Sequence, residues 1–210
     1  MSKGKKKRQT VLKGRGGSKL EREQARPQGS SSALRHIRQA RNYPIEGCWA
    51  RHDWQETGLA VVLIARRQPD GNILFGNYLV DYYCLGLKDT FCNANIPPEQ
   101  FRREVMHKIF PKRPLSISPA LAHEIIYGGI EYAAQFGFRP QRDFKDSQYV
   151  LDPPDMHPRS GKVKFGYEGK PLFVAGPYDD VNAIVNQLRR TAGEGNFNYM
   201  IGMGAPPFED

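Results

Sequence analysis

The chain has 210 residues, 39% of them hydrophobic and 11% aromatic, with a net charge of +9, enough apolar material for one core and some extra chain. Its longest apolar runs, such as residues 59–65, are far too short to span a membrane. The three cysteines, Cys48, Cys84 and Cys92, are an odd, sparse set that argues for reduced thiols and against a disulfide framework. The N-terminus carries no apolar secretory segment, so a soluble, cytoplasmic protein is expected.

The charge divides unevenly. Residues 1–41 hold 13 Lys/Arg against Glu21 and Glu23, about +11, whereas residues 42–210 hold 18 Lys/Arg against 20 Asp/Glu, about −2. The basic character therefore belongs to the N-terminal segment and implies no basic groove elsewhere. Residues 1–42 have few large apolar side chains and much Gly, Ser and Lys, too little to offset the entropy of ordering. A disordered basic tail is expected there, with a short basic helix over 33–41 capped by Ser32 and presenting Leu34, Ile37 and Arg38 on one side.

A single folded domain is expected over 43–202. "YPIEGCW" reads as a short strand. "GLAVVLIARRQ" reads as a longer one, and the turn at Pro69-Asp70-Gly71 leads into "ILFGNYLVDYYCLG", giving a β-hairpin over 59–85. Both strands are apolar on both faces, which places the hairpin in a sheet covered on two sides. Gly76 marks a bulge or a close backbone approach.

Three helices follow. One starts at Pro98, with Phe101, Val105 and Ile109 at i, i+4, i+8. The second is capped by Ser118, has Pro119 at its first position and ends at Gly137, with Leu121, Ile125, Tyr132 and Phe136 in one stripe. Its Gly128-Gly129 pair costs about 1 kcal/mol per Gly relative to Ala, which implies close packing against another backbone. The third is capped by Asp179 or Asp180, buries Val181, Ile184, Val185 and Leu188, and has Arg189 and Arg190 at its C-terminal end. The Pro/Gly-rich connection before it holds a small hairpin at "GKVKFGYEGK". The fold class is α+β: a central, largely antiparallel sheet of hairpin 59–85 with C-terminal strands 171–175 and 197–201, carrying about three helices. Residues 203–210 read as a short acidic tail.

Asp81 stands mid-strand in this reading, and a buried carboxylate needs a partner. Arg66, Arg67, Lys88, a strand-end backbone group or a metal ion could serve. Asp89, Glu124, Glu131 and Asp143 are the acids that could join it, giving a metal-dependent nuclease or phosphoesterase that acts through a divalent metal. Lys88-Asp89 itself reads as a solvated strand end, with Asp89 capping the next turn. Cys48, His52, Cys84 and Cys92 supply zinc-type donors without zinc spacing, and read as core or surface thiols. "AGPYDDV" sits where phosphates often bind, but Asp179 and Asp180 would repel an anion and favour a plain turn and cap. Trp49, Arg51, His52 and Trp54 in "CWARHDW" could stack on bases if exposed, although buried aromatics are the simpler reading.

The phrases "LIARRQPDGNILFGNYLVDYYCLGLKD", "GIEYAAQFGFRPQRDF" and "PLFVAGPYDDV…GNFNYMIG" together resemble a family of uncharacterised bacterial proteins that often pair a basic tail with this domain. The resemblance covers about residues 43–202. It implies no catalytic residues. Where the family pattern carries a histidine, position 141 is Gln, so an imidazole role there does not transfer.

The tail carries the strongest functional signal. Lys3, Lys5, Lys6, Lys7, Arg8, Lys13, Arg15, Lys19, Arg35, Arg38 and Arg41 would neutralise phosphates through counterion release, without sequence readout. The leading expectation is a protein associated with RNA or DNA, including ribosomal RNA. The metal-dependent enzyme centred on Asp81 and a protein-interaction module without catalysis are the alternatives. A protein partner is compatible with each; a membrane is not expected, since lipidation motifs and amphipathic anchors are lacking.

Overall fold

The computed structural model describes residues 31–201. Five strands, β1 (Ile45–Ala50), β2 (Leu59–Arg67), β3 (Ile73–Asp81), β4 (Gly86–Ile96) and β5 (Leu115–Ser116), form an antiparallel sheet in the order β4-β3-β2-β1-β5. Residues 68–72 turn β2 into β3: the Gln68 N–H donates to Asn72 O, the Asp70 carboxylate accepts the Asn72 N–H, and Gly71 takes φ +85°. The ladder then runs unbroken from Arg67↔Ile73 to Leu59↔Asp81.

Alternation assigns the two faces. Ala60, Val62, Ile64, Leu74, Tyr78 and Val80 point to one side, where α4 (Pro119–Ala134) packs Ala122, Ile125 and Ile126 against them. Leu63, Ala65, Ile73 and Phe75 point to the other, covered by Phe101 and Phe110. Phe101 belongs to α3, which runs through Pro98–Gln100, a π-helical Phe101–Met106 and His107–Ile109. The sheet is thus covered on both faces, as the two-sided apolar pattern implied.

The two glycines of α4 allow close contacts on two sides, Gly129 with the sheet and Gly128 with the Phe165 ring. A Cβ on Gly129 would lie 2.5 Å from Val80 Cγ1, and one on Gly86 would lie 2.9 Å from the Gly129 carbonyl oxygen. Gly76 marks no bulge: the Tyr78 ring lies over it, and the irregularities of β3–β4 pairing fall at Ile73/Phe75 and Leu79/Val80.

Three expectations need correction. The apolar run 73–86 is not one strand. It reverses at residues 82–85 and returns as β4, a strand that the sequence reading missed because the reversing residues, Tyr82, Tyr83, Cys84 and Leu85, are themselves as apolar as a strand. The C-terminal strands do not join the central sheet either. β6 (Leu172–Val174) and β7 (Asn198–Met200) pair parallel to each other across α6 (Val181–Thr191), around a separate core of Cys84, Phe173, Val185, Leu188 and Phe197. Finally, ordered structure is already present ahead of Tyr43, within the segment expected to be tail. Helix α1 (Ser31–Arg38) contains Ser32 instead of being capped by it. It buries Ile37, with Ala40 buried just beyond it, and packs on β4, the outermost strand, beside α5 (Phe144–Ser147). The expectation of disorder over 1–30 and of an acidic tail over 203–210 lies outside the described residues.

Asp180 caps α6 by accepting the Ala183 N–H, and Ser118 caps α4 by accepting the Leu121 N–H. The small hairpin survives as a tight turn in which Tyr167 and Lys170 exchange backbone hydrogen bonds, with Glu168 at φ 50° and Gly169 at φ 80°.

Candidate functional site

Asp81 ends β3. Its Oδ1 accepts the N–H groups of Tyr83 and Cys84 at 3.1 and 3.0 Å, closing the turn into β4, so the strand-end backbone is its partner. Arg66 and Arg67 pair elsewhere, with Asp152 and Glu46. Burial pushes the Asp81 carboxyl up to about 6, against the opposing pull of Lys88 and the turn N–H groups.

A raised folded-state value means that the native protein binds this proton more tightly than the unfolded chain. Stability is therefore highest below the unfolded value near 4 and declines as pH rises through about 6. Asp81→Asn keeps the acceptor and removes the buried charge. It is expected to raise stability at pH 7.5 by about 1–3 kcal/mol and to flatten the decline between pH 4 and 6.5. Urea unfolding at a series of pH values checks both.

Lys88 is a β4 residue rather than a solvated strand end. Its Nζ donates to Asp179 Oδ2 at 2.6 Å, fastening the sheet to the loop before α6. Asp179 also accepts the Gly176 N–H, so "AGPYDDV" is a self-filled turn and cap. Asp89 is exposed and accepts the N–H of Thr90, and Asp143 meets the amide of Gln141. Gln141 in turn accepts the Asp143 N–H at 2.6 Å, ahead of α5. Glu131 pairs with Arg159. Glu124 is buried and accepts from Ser160 N and Oγ and from Val163 N. Burial opposes its charge, yet these donors hold its carboxyl below the usual range. The acids expected around Asp81 are thus dispersed: among the described residues no group of three acid, His or Cys ligand atoms within 4.8 Å includes Asp81.

The thiols follow the bland reading. All three are free, and burial pushes those of Cys48 and Cys92 up to about 12 and that of Cys84 further. In "CWARHDW", Trp54 is buried edge-on to Tyr82, Trp49 leans on Phe101, and Arg51 pairs with Asp53, which leaves no stacking platform.

The one cluster of ligand-type atoms that the structure gathers among the described residues is His123, Asp152 and His157, within 4.8 Å of one another. α4 supplies His123, and the chain after the 3₁₀ turn Gln148–Val150 supplies the other two. His123 Nδ1 lies 2.6 Å from Pro119 O, which can only accept, so Nδ1 carries the proton. Its Nε2 then accepts the Asp152 N–H at 2.8 Å. Both ring nitrogens are committed and a second proton has no place. Burial acts in the same direction and lowers the His123 pKa.

Asp152 accepts from Arg66 on Oδ1 and from His157 Nε2 on Oδ2, the latter at 2.8 Å. Burial disfavours its charge, but these two donors hold its carboxyl below the ordinary range. Arg66, almost fully buried, also donates to Val150 O and Tyr43 O, both at 2.7 Å. The Tyr127 hydroxyl donates to Asp152 O. The His157 ring stands 4.5 Å from that of His123, centre to centre.

This set does not fit a divalent cation. The lone pair of His123 that would bind it is taken by a backbone N–H, and the buried Arg66 guanidinium already neutralises Asp152. It is a closed hydrogen-bond network with one open atom: His157 Nδ1 has no hydrogen-bond partner among the described residues, and the side chain is 22% exposed.

No family model matches this chain, and neither a curated protein nor a solved structure matches it. Sequence reasoning missed this cluster because His123 and Arg66 lie 29 and 86 residues from Asp152, and the five-residue step from Asp152 to His157 announces nothing by itself. Arg66 was noticed only as a partner for Asp81.

Of the basic residues, Lys3, Lys5, Lys6, Lys7, Arg8, Lys13, Arg15 and Lys19 lie outside the described residues. Arg35 and Arg38 are exposed on α1. Arg41 is exposed and also serves the fold: Nε donates to Leu151 O at 2.8 Å, Nη2 to Gln148 O at 3.3 Å, and the guanidinium lies over the Tyr149 ring. No described helix is long and apolar enough to cross a membrane.

Proposed function

We propose that the protein associates with RNA or DNA, the ribosome included, through its basic N-terminal segment, and that the α+β domain holds that segment in place. The observation that carries this is the division of charge, about +11 over residues 1–41 against about −2 over residues 42–210. A domain of balanced charge gains little from phosphate, whereas a dense run of Lys and Arg releases condensed counterions on binding. The anchoring at α1 supports the reading: Ile37 and Ala40 are buried while Arg35 and Arg38 face solvent.

Deleting residues 1–30 leaves every described element in place and removes most of the charge. Full-length protein is expected to bind RNA and DNA oligonucleotides with an affinity that falls steeply with salt, about 10³-fold between 50 and 200 mM for six or more neutralised phosphates. The shortened protein is expected to lose that binding. Equal affinity of the two forms in a fluorescence anisotropy titration would sink the proposal.

A further inference from the structure

The Asp152–His157 pair differs from the rest of its cluster because it is not used up by the fold. Asp152 is fixed by Arg66 and holds Nε2 of His157, so the neutral ring keeps its lone pair on Nδ1, which has no hydrogen-bond partner among the described residues. A carboxylate-held imidazole with its other nitrogen accessible is the arrangement of a general base. The carboxylate also stabilises the imidazolium that forms when the base takes a proton.

Among the described residues no serine, threonine or cysteine hydrogen-bonds to Nδ1, so a nucleophile must come with the substrate. The donor set excludes the bound cation that would activate water. A ribose 2′-hydroxyl beside its own phosphate meets both conditions: it is an intramolecular nucleophile of high effective concentration and needs only a base.

The location agrees. Arg41, at the root of the basic segment, is fastened to Gln148 O and Leu151 O, immediately before Asp152. Tyr127 joins the two, since its hydroxyl donates to Asp152 O and lies within the influence of Arg41. From Arg41 to Ser31 is little more than one eight-residue helix, about 12 Å long.

Resting on the nucleic-acid reading above, we propose that the protein cleaves single-stranded RNA without a metal ion, with His157 as general base. Nδ1 takes the proton of a 2′-hydroxyl. The 2′-oxygen forms a bond to the adjacent phosphorus, the bond from phosphorus to the 5′-oxygen breaks, and that oxygen leaves with a proton from water. The products are a 2′,3′-cyclic phosphate and a 5′-hydroxyl end. His157 is the catalytic residue; Asp152 and Arg66 are positioning residues.

The test incubates full-length protein with an RNA oligonucleotide and its deoxy counterpart in excess EDTA, with His157→Ala and His157→Gln prepared in parallel. The expected result is cleavage of RNA alone with cyclic-phosphate ends, a loss of about 10²–10⁴-fold in both variants, and partial recovery of His157→Ala on adding free imidazole. RNA binding of both variants should match the parent, and His157→Gln, whose amide can still donate to Asp152, should melt close to it. Intact RNA, cleavage that survives in both variants, or cleavage that needs a metal would each overturn the proposal. If the parent binds RNA and leaves it whole, this inference fails while the binding proposal stands. If it does not bind RNA, the binding proposal fails, and single-turnover incubation at high protein concentration still decides the cleavage.

Discussion

Asp152→Ala is expected to destabilise the protein by about 3–5 kcal/mol, because it strands a buried guanidinium. The side chains of Arg66 and Asp152 are only 3% and 13% exposed. Without the carboxylate, Arg66 keeps its bonds to Val150 O and Tyr43 O but carries an uncompensated charge in the core. The same substitution frees His157 and loosens the chain that follows.

Arg66→Met should cost a similar amount for the opposite reason, leaving two buried carbonyls and a carboxylate short of donors. The double variant should cost much less than the sum of the two, since the stranded charge is counted once. Guanidinium unfolding of the four proteins measures this coupling directly. Additive losses would show that the pair does not act as a unit. The pH dependence runs opposite to that of Asp81. Because the folded-state value of Asp152 is depressed, its contribution is complete above the unfolded value near 4 and disappears as pH falls below it.

The second large effect is expected at the contact between helix and sheet. Gly86 has φ +68°, and a Cβ there would lie 2.7 Å from Ala133 Cβ and 2.9 Å from Gly129 O. Gly86→Ala combines left-handed backbone strain of about 1–2 kcal/mol with a steric clash of about 1–3 kcal/mol, so a loss of about 2–5 kcal/mol is expected. Gly71 is the control. It has φ +85° with nothing within 4 Å of an added Cβ, so Gly71→Ala should cost the backbone part alone. Gly129→Ala should fall between the two, because its clash with Val80 is partly offset by the better helix propensity of alanine. Thermal melts of the three variants rank them, and equal losses at Gly86 and Gly71 would mean that α4 yields easily.

These two places also show how far the sequence could be read. The Gly128-Gly129 step was legible because two glycines inside a good helix need a packing reason, and the sheet supplies it for Gly129 and the Phe165 ring for Gly128. The β2–β3 hairpin was legible because Pro69-Asp70-Gly71 is a turn with its own chemistry. The reversal at residues 82–85 was not, because hydrophobic pattern cannot separate one long buried strand from two joined by an apolar turn. Its only markers were Asp81, which closes the turn, and Gly86, which permits the left-handed step. The C-terminal unit was recognised as strand–helix–strand, but which strands would be its neighbours is a matter of long-range packing that short patterns do not encode. The His123–Asp152–His157 network was invisible for the same reason. His157 sits in a Pro-rich connection that composition alone marks as loop.

The limit of the charged segment and the limit of the fold do not coincide. Residues 31–41 belong to both: they add to the positive run, and through Ile37, Ala40 and Arg41 they are packed and hydrogen-bonded to the domain. That overlap sets different rules for sequence drift on either side of Ser31. Ahead of it, a phosphate partner would read the number of positive charges, so exchanges of lysine for arginine are expected to leave binding little changed. Behind it, the packed and hydrogen-bonded positions answer to a neighbour: Arg41→Lys would keep the charge but could not reproduce the two-carbonyl grip of a guanidinium placed over Tyr149.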